Sequence, residues 1–370
     1  MNEPFDKRLK VLSLTNSILE YRIPVYNLLA ESYDLTVAHY GKKIDQDRIK
    51  FKQIILTKSK RGPFVIIKEN VRKIASQFDA VISEGDLHIL SFLKLAFIRN
   101  RKFSLSFWSI GVSASYKKHF DQDRRLDRLR FYLMNKAESI VFYTDYPINR
   151  YVNDGGVSPD KLFVANNTVE VNHKYEVPKV KRHFLFVGTL YKEKKILDLL
   201  EAYLIAYKQN SSIQPLILIG DGDDRKNIEN WIQEHCLKAK IILKGAIFNQ
   251  DILRENYLDA IACISPGQAG LTVLNSMAYG VPFVTTENAI TGGEIFNIKN
   301  NVNGIIYNED VSKLSEILTD LSKDSEKTYN LSVNSQEYYF SKRTMVIMVK
   351  GLSDALMFAY NQRNNRETKL

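Results

Sequence analysis

Residues 260–286 read AIACISPGQAGLTVLNSMAYGVPFVTT, and the reading of this stretch decides how the chain is organised. Residues 260–264 have the continuous apolar character of a buried strand, and residues 265–270 form a loop of small side chains. A helix is expected over 271–279, followed by Gly280 and by a second strand entered through Pro282. Gly280 stands where a helix stops in the left-handed conformation, and Pro282 keeps the helix from resuming. A strand that feeds a helix through such a loop leaves the amides of Gly270, Leu271 and Thr272 without helical partners. Those amides and the positive end of the helix dipole suit a phosphate. Plain strand-to-helix connections share this geometry, so the loop alone assigns no ligand.

Residues 265–284, SPGQAGLTVLNSMAYGVPFV, resemble the donor-binding segment of the retaining glycosyltransferases of family 4. That segment usually runs proline-serine, then EGFGLxxLEAMAxGxPV. Gly270 and Leu271 match its glycine-leucine pair, and Leu274, Met277, Ala278, Gly280 and Pro282 fall at the matching spacings. The family's two glutamates fall on Gly267 and Asn275. The resemblance implies that the second holds the ribose hydroxyls and the first contacts the donor sugar. Asn275 keeps a hydrogen-bonding amide, whereas Gly267 offers only backbone, and its neighbour Gln268 is the side chain available in its place.

The same resemblance runs through the second half of the chain in order. Residues 183–203, HFLFVGTLYKEKKILDLLEAY, read as a strand, a tight turn at Gly188, and a helix with Leu197, Leu200, Leu204 and Tyr207 on one face. The family has an arginine just after this glycine and a lysine farther on, both gripping the donor diphosphate. Lys194 matches the lysine and carries the catalytic role this implies. Thr189 stands at the arginine position, with Lys192 and Lys195 near enough in sequence to supply part of the charge. LILIGDGDD (216–224) matches a further family turn; a dinucleotide fingerprint would need glycine where Arg225 stands. After Gly245, the backbone at Ala246 and Ile247 is where the resemblance rests the nucleotide base. Glu294, in ITGGEIF, reads as a structural cap.

Strand signals near residues 10–16, 35–39, 53–56, 80–83, 103–108 and 140–143 alternate with helical segments, which implies a parallel sheet covered on both faces. Residues at the C-terminal ends of such strands line the ligand crevice. Asn16, Glu84, Trp108 and Ser109 stand there, and Asn16, Trp108 and Ser109 are the acceptor-side candidates. Some relatives carry tryptophan-glycine-histidine-glycine at this place; here it is Trp108, Ser109, Ile110 and Gly111, so the histidine's role is vacant. The implied architecture is α/β, a GT-B fold of two Rossmann-like domains facing across a cleft. Residues 1–180 form the acceptor-side domain and 181–345 the nucleotide-sugar domain, while 346–370 form a helix returning to the first.

The chain has 370 residues, 45% hydrophobic, enough for two cores. It shows no apolar run of membrane-spanning length and no signal-peptide pattern at its start, which points to the cytoplasm. Cys236 and Cys263 are expected to be reduced and packed inside elements. Residues 1–180 hold 30 Lys+Arg against 20 Asp+Glu, while 181–370 hold 22 of each, so the whole +10 excess lies in the first half. One basic half implies an anionic surface, and residues 88–102, read as a core helix with a basic end, together with 117–136 make an anionic membrane the candidate. Nothing resembles a nucleic-acid module, and no metal-ligand spacing occurs.

The implied reaction is hexosyl transfer, with retention, from a nucleotide diphosphate sugar to a glycan or lipid-linked acceptor in surface polysaccharide synthesis, with no cofactor. A sugar-nucleotide epimerase of the same fold and a non-catalytic nucleotide-sugar-binding subunit stay open as alternatives.

Overall fold

The computed structural model describes residues 8–115 and 119–367, which form two compact units. One unit gathers the chain up to Ala114, Asp121–Glu170 and the segment from Met345 on; the other holds Val171–Thr344 with the short piece ending at Phe120. Lys117 and Lys118, counted above in the basic run, lie outside the described residues.

The first unit is a seven-stranded sheet with all neighbours parallel. Its order is Leu162–Val164, Ser139–Phe142, Ser104–Ser109, Ala80–Glu84, Lys10–Thr15, Asp34–His39 and Lys52–Ile55. The order reverses between Lys10–Thr15 and Ala80–Glu84, and at such a reversal the loops part and leave a crevice beyond the strand ends. The second unit repeats the plan with six parallel strands: Ile241–Gly245, Leu216–Ile219, His183–Val187, Ala260–Ile264, Phe283–Thr286 and Gly304–Tyr307. Here the reversal lies between His183–Val187 and Ala260–Ile264. The central strands are unbroken apolar runs because both faces of the sheet are covered; every residue of Ala260–Ile264 is buried.

Most strands start within a residue or two of the expected positions. The helix after the 265–270 loop is shorter than read, Thr272–Ala278, and Gly280 takes the left-handed φ of 68°. Residues 88–102 are not one helix. A single turn, Leu90–Leu93, passes into a 3-10 turn, Lys94–Phe97, and Asn100 is left-handed at φ 52°. The apolar spacing there belongs to a short buried crossing, with Phe92, Leu93, Leu95 and Ala96 all in the core. Cys263 is buried in its strand as expected, but Cys236 is exposed at a left-handed position just after the helix Arg225–Glu234. No helix among the described residues is long and apolar enough to cross a membrane.

The last helix, Met345–Glu367, follows a break at Arg343 after Ser325–Lys342 and belongs to the first unit. It buries Met348, Leu352, Ala355 and Leu356 against that sheet, and Ala355 O accepts a 3.0 Å hydrogen bond from Ser139. Gly351 lets it approach: a Cβ there would lie 2.3 Å from Val164 O. A glycine in a helix costs about 1 kcal/mol relative to alanine. Burying each of Met348, Leu352 and Leu356 contributes about 1.5–3 kcal/mol, which outweighs that cost.

Candidate functional site

In the second unit the strand reversal is occupied by the two segments singled out above. The strand His183–Val187 ends at Gly188, whose φ is 152°. The neighbouring Gly220 packs on it so closely that a Cβ would lie 1.8 Å from Gly188 O, and a Cβ on Gly222 would lie 2.3 Å from Leu190 O. Leu190 N in turn donates to Asp221 O at 3.0 Å. The GDG turn at 220–222 is thus a wedge that shapes the 188–190 backbone, which is why glycine is required there.

After Leu190 the chain makes a 3-10 turn, Lys192–Lys194, before Lys195 turns left-handed (φ 52°) to start the helix Ile196–Gln209. The three lysines have different fates. Lys192 is exposed, and Lys195 pairs with Glu309 at 2.8 Å. Lys194 points inward and is only 7% exposed. Its ammonium makes neither an ion pair nor a hydrogen bond among the described residues; it lies 5.9 Å from the Tyr191 ring centroid and 3.3 Å from where a Gly188 Cβ would be. Burial pushes its pKa down to about 8, with the nearby Cys263 thiol pulling weakly the other way.

The 265–270 loop is stitched to this turn. Gly267 N donates to Lys194 O at 3.1 Å, and Tyr191 OH donates to Gln268 Oε1 at 2.5 Å. Gly267 is pressed against the turn: a Cβ would sit 2.0 Å from Glu193 O. Residues Gln268–Ala269 pair briefly with Ile290–Thr291, which holds the far side of the loop. The amides of Gly270, Leu271 and Thr272 find no acceptor among the described residues, and all three residues are half-buried. Asn275, one turn into the helix, is half-buried with its side-chain amide unbonded among the described residues. Thr189 is exposed.

A buried cation and three amides, all unpaired among the described residues, thus lie on a turn and a loop that are joined to each other beyond the C-terminal ends of the two central strands. Residues 169–338 match the family model of glycosyl transferases group 1. The match spans nearly all of the second unit and the site just described. No curated protein sequence matches the chain. Among solved structures, a glycosyltransferase from Rickettsia africae aligns with a TM-score of 0.71 at 14% identity, covering 95% of this chain and 99% of that one. HepE from Anabaena, crystallised with UDP and glucose, aligns at 0.66 with 16% identity, covering 94% and 99%. The lipopolysaccharide outer core galactosyltransferase WaaB aligns at 0.65 with 17% identity and the same coverage. At such identities these neighbours establish the fold, which is that of GT-B glycosyltransferases.

The remaining site candidates fall in both units. Beyond Gly245 (φ 71°), which accepts the Gly220 amide at 2.8 Å, Ala246 is exposed and Ile247 half-exposed. Phe248 beside them is 87% exposed, a feature the sequence reading passed over. Glu294 caps its own turn, accepting the Gly292 amide at 3.0 Å.

In the first unit, Asn16 follows the strand Lys10–Thr15; its amide donates to Glu84 Oε2 at 2.8 Å and its carbonyl accepts from Tyr40. Ser109 Oγ accepts the Gly111 amide at 3.1 Å. Trp108 is 6% exposed and packs edge-on to Tyr26, so its ring is part of the floor rather than an open contact surface. Above it lies Arg22, which no motif singled out. The Arg22 guanidinium sits 4.6 Å from the Trp108 centroid, 4.9 Å from Tyr143 and 5.1 Å from Tyr21.

Proposed function

We propose that the protein is a retaining glycosyltransferase of family 4. It transfers a hexose from a nucleotide diphosphate sugar to a glycan or lipid-linked acceptor during surface polysaccharide synthesis, at the cytoplasmic face of the membrane. The observation that carries the reading is Lys194: a buried ammonium without a partner among the described residues, backed by Gly188 and on a turn bonded to a loop whose amides are unpaired among those residues. An unpaired buried charge is costly, and a diphosphate supplies the missing anion. When the sugar departs, negative charge builds on that diphosphate, and the ammonium and the amides of Gly270, Leu271 and Thr272 stabilise it without reorganising. The acceptor hydroxyl loses its proton to the departing phosphate, so no separate base is required. The helix Thr272–Ala278 has only seven residues, and its free amides matter more than its dipole.

The departures from the usual segment offset one another. Thr189 removes one positive charge, and Gly267 with Asn275 removes two negative ones, which leaves the site favourable for an anion. Gln268 and Asn275 are then the side chains that contact donor sugar and ribose, and Ala246 and Ile247 the backbone under the base. HepE was crystallised with UDP and glucose, so UDP-hexoses are the first donors to test. Thermal shift against a panel of nucleotide sugars should single out one donor, and the anomeric configuration of the product should be retained. If no nucleotide sugar raises the melting temperature, the reading fails. Release of an epimerised nucleotide sugar without transfer would favour the epimerase.

The membrane reading narrows to part of the basic run. Arg101 is turned inward on Glu138 at 2.6 Å, Arg130 pairs with Asp127, and Arg124 and Arg125 pair with Asp121 and Asp123. Lys94, Arg128 and Lys136 stay exposed with no ion pair among the described residues. They surround Phe97 and Tyr132, each 54% exposed with ring centroids 6.4 Å apart, and Leu129, 47% exposed. Exposed aromatics ringed by cations suit an anionic bilayer surface. Each such cation contributes about 1 kcal/mol at that surface, so Lys94→Glu with Lys136→Glu should lower co-sedimentation with phosphatidylglycerol vesicles about tenfold or more. Undiminished sedimentation would remove this face from consideration.

A further inference from the structure

We propose that Glu84 and Arg22, at the strand reversal of the first unit, form the seat for hydroxyl groups of a neutral sugar, the acceptor end of the reaction. This rests on the glycosyl-transfer reading above. Glu84 ends the strand Ala80–Glu84, next to the end of Lys10–Thr15, and these are the two strands between which the sheet order reverses. Ligand crevices of open parallel sheets lie at that place.

One oxygen of the carboxylate is held. Glu84 Oε2 accepts the Asn16 amide at 2.8 Å and the Thr15 hydroxyl at 3.5 Å, while Oε1 has no hydrogen bond among the described residues. Arg22 is the complementary half. It is 7% exposed, held flat by the Tyr21, Trp108 and Tyr143 rings, and the one hydrogen bond of its guanidinium among the described residues goes to Met348 Sδ at 3.4 Å. A guanidinium has five N–H donors, and a thioether is a weak acceptor, so most of its donor capacity is unused. No salt bridge joins Arg22 to Glu84, although each lies within the other's field. One further buried polar group at this level lacks a partner among the described residues: the Trp108 indole, in register with Glu84.

A site with a fixed acceptor and a fixed donor discriminates by chemistry. A phosphate would meet Glu84 and, close by, Asp86; an ammonium would meet Arg22. A polyol satisfies both groups at once, its hydroxyls donating to Glu84 Oε1 and accepting from Arg22, and charge-assisted bonds of this kind are about twice as strong as neutral ones. Burial raises the Glu84 pKa to about 7, Asp86 raising it further and the Asn16 amide, Thr15 and Arg22 opposing. Tyr40, Tyr143 and Tyr26 also face this pair. The carboxylate is therefore poised to lose its charge just below neutrality.

Ligand-observed NMR on the full chain tests the proposal, with proton saturation transfer for methyl α-glucoside and methyl α-galactoside and phosphorus-31 line broadening for inorganic phosphate, each as a separate probe. At pH 8 the wild type should bind a methyl hexoside and not phosphate, and Glu84→Gln should bind it about tenfold more weakly. Wild-type affinity should fall several-fold between pH 8 and pH 6, while the variant's stays flat. The variant's near-ultraviolet circular dichroism and cooperative melting should match those of the wild type, which a damaged first unit would not allow. Failure of every hexoside to bind the wild type overturns the proposal, as does phosphate binding in their stead or hexoside binding unaltered by the substitution. Absence of any stabilising nucleotide sugar overturns the transferase reading instead.

Discussion

Lys194→Met should melt higher than the wild type when free of ligand, and in the same variant a nucleoside diphosphate should no longer stabilise the protein. Burial holds the ammonium's pKa at about 8 against 10.5 for an ordinary lysine. A depression of that size costs the ligand-free fold on the order of 3 kcal/mol at pH 7, where lysine is charged in both states. Methionine fills nearly the same volume without the charge. Because the unfolded chain keeps its proton up to the higher value, wild-type stability should rise with pH from about 8 toward 10, and the variant should lose that part of the slope. Binding runs the other way. Removing one partner of a buried ion pair costs about 3–5 kcal/mol, so the dissociation constant should rise at least a hundredfold. Wild-type affinity should weaken above pH 8, and titration calorimetry there should show proton uptake on binding. A variant that melts lower, or that binds the diphosphate as the wild type does, would mean that the ammonium already has a partner and that the site lies elsewhere.

Gly267→Glu, which installs the glutamate of the family 4 segment that residues 265–284 resemble, should damage the protein rather than improve it. A Cβ at this position would lie 2.0 Å from Glu193 O and 2.8 Å from the Lys194 carbonyl carbon, with no flexible side chain in the way to yield. Relief requires parting the loop from the turn and breaking the 3.1 Å bond from Gly267 N to Lys194 O. Overpacking against backbone costs about 3 kcal/mol, and the separation would also carry Lys194 away from the free amides. Gly267→Ala should show most of the same loss, because the clash begins at Cβ. Gln268→Glu, on the neighbouring half-buried position, should leave the fold intact. Were Gly267→Ala to melt and bind like the wild type, the close packing of loop on turn would be refuted.

These two substitutions mark where the sequence was legible. The strand, loop and helix of residues 260–286 could be read because each boundary carries its own local chemistry: an apolar run, small residues, a glycine stop and a proline. Lys194 stood out from its neighbours only through the resemblance, since three lysines in four positions have no spacing that tells a buried one from an exposed one and a half-buried, paired one. What separates them is the left-handed turn at Lys195 and the Glu309 partner, which is more than a hundred residues away. Gly267 looked like a loss when read along the chain. Its cause lies across the chain, where the 192–194 backbone has moved into the room a side chain would take. Arg22 gave no signal at all, because its three aromatic neighbours include Trp108 and Tyr143, brought to it only by the sheet. The 88–102 segment misled for the opposite reason, its apolar residues being numerous enough to imitate a helix face while the chain turned twice among them.

Gly351 and the apolar face of Met345–Glu367 also bear on how the molecule comes into being. Unit one is written in the chain on both sides of Val171–Thr344. At the usual 5–20 residues per second, a ribosome spends roughly ten to thirty-five seconds on that intervening stretch. During that interval the early sheet has its strands but lacks Met348, Leu352, Ala355 and Leu356, and the part of its face that Ile23–Ser32 leaves uncovered stays bare. The later-written unit can therefore close before the earlier one does, and the nascent chain carries its sticky sheet until the last helix emerges to cover it.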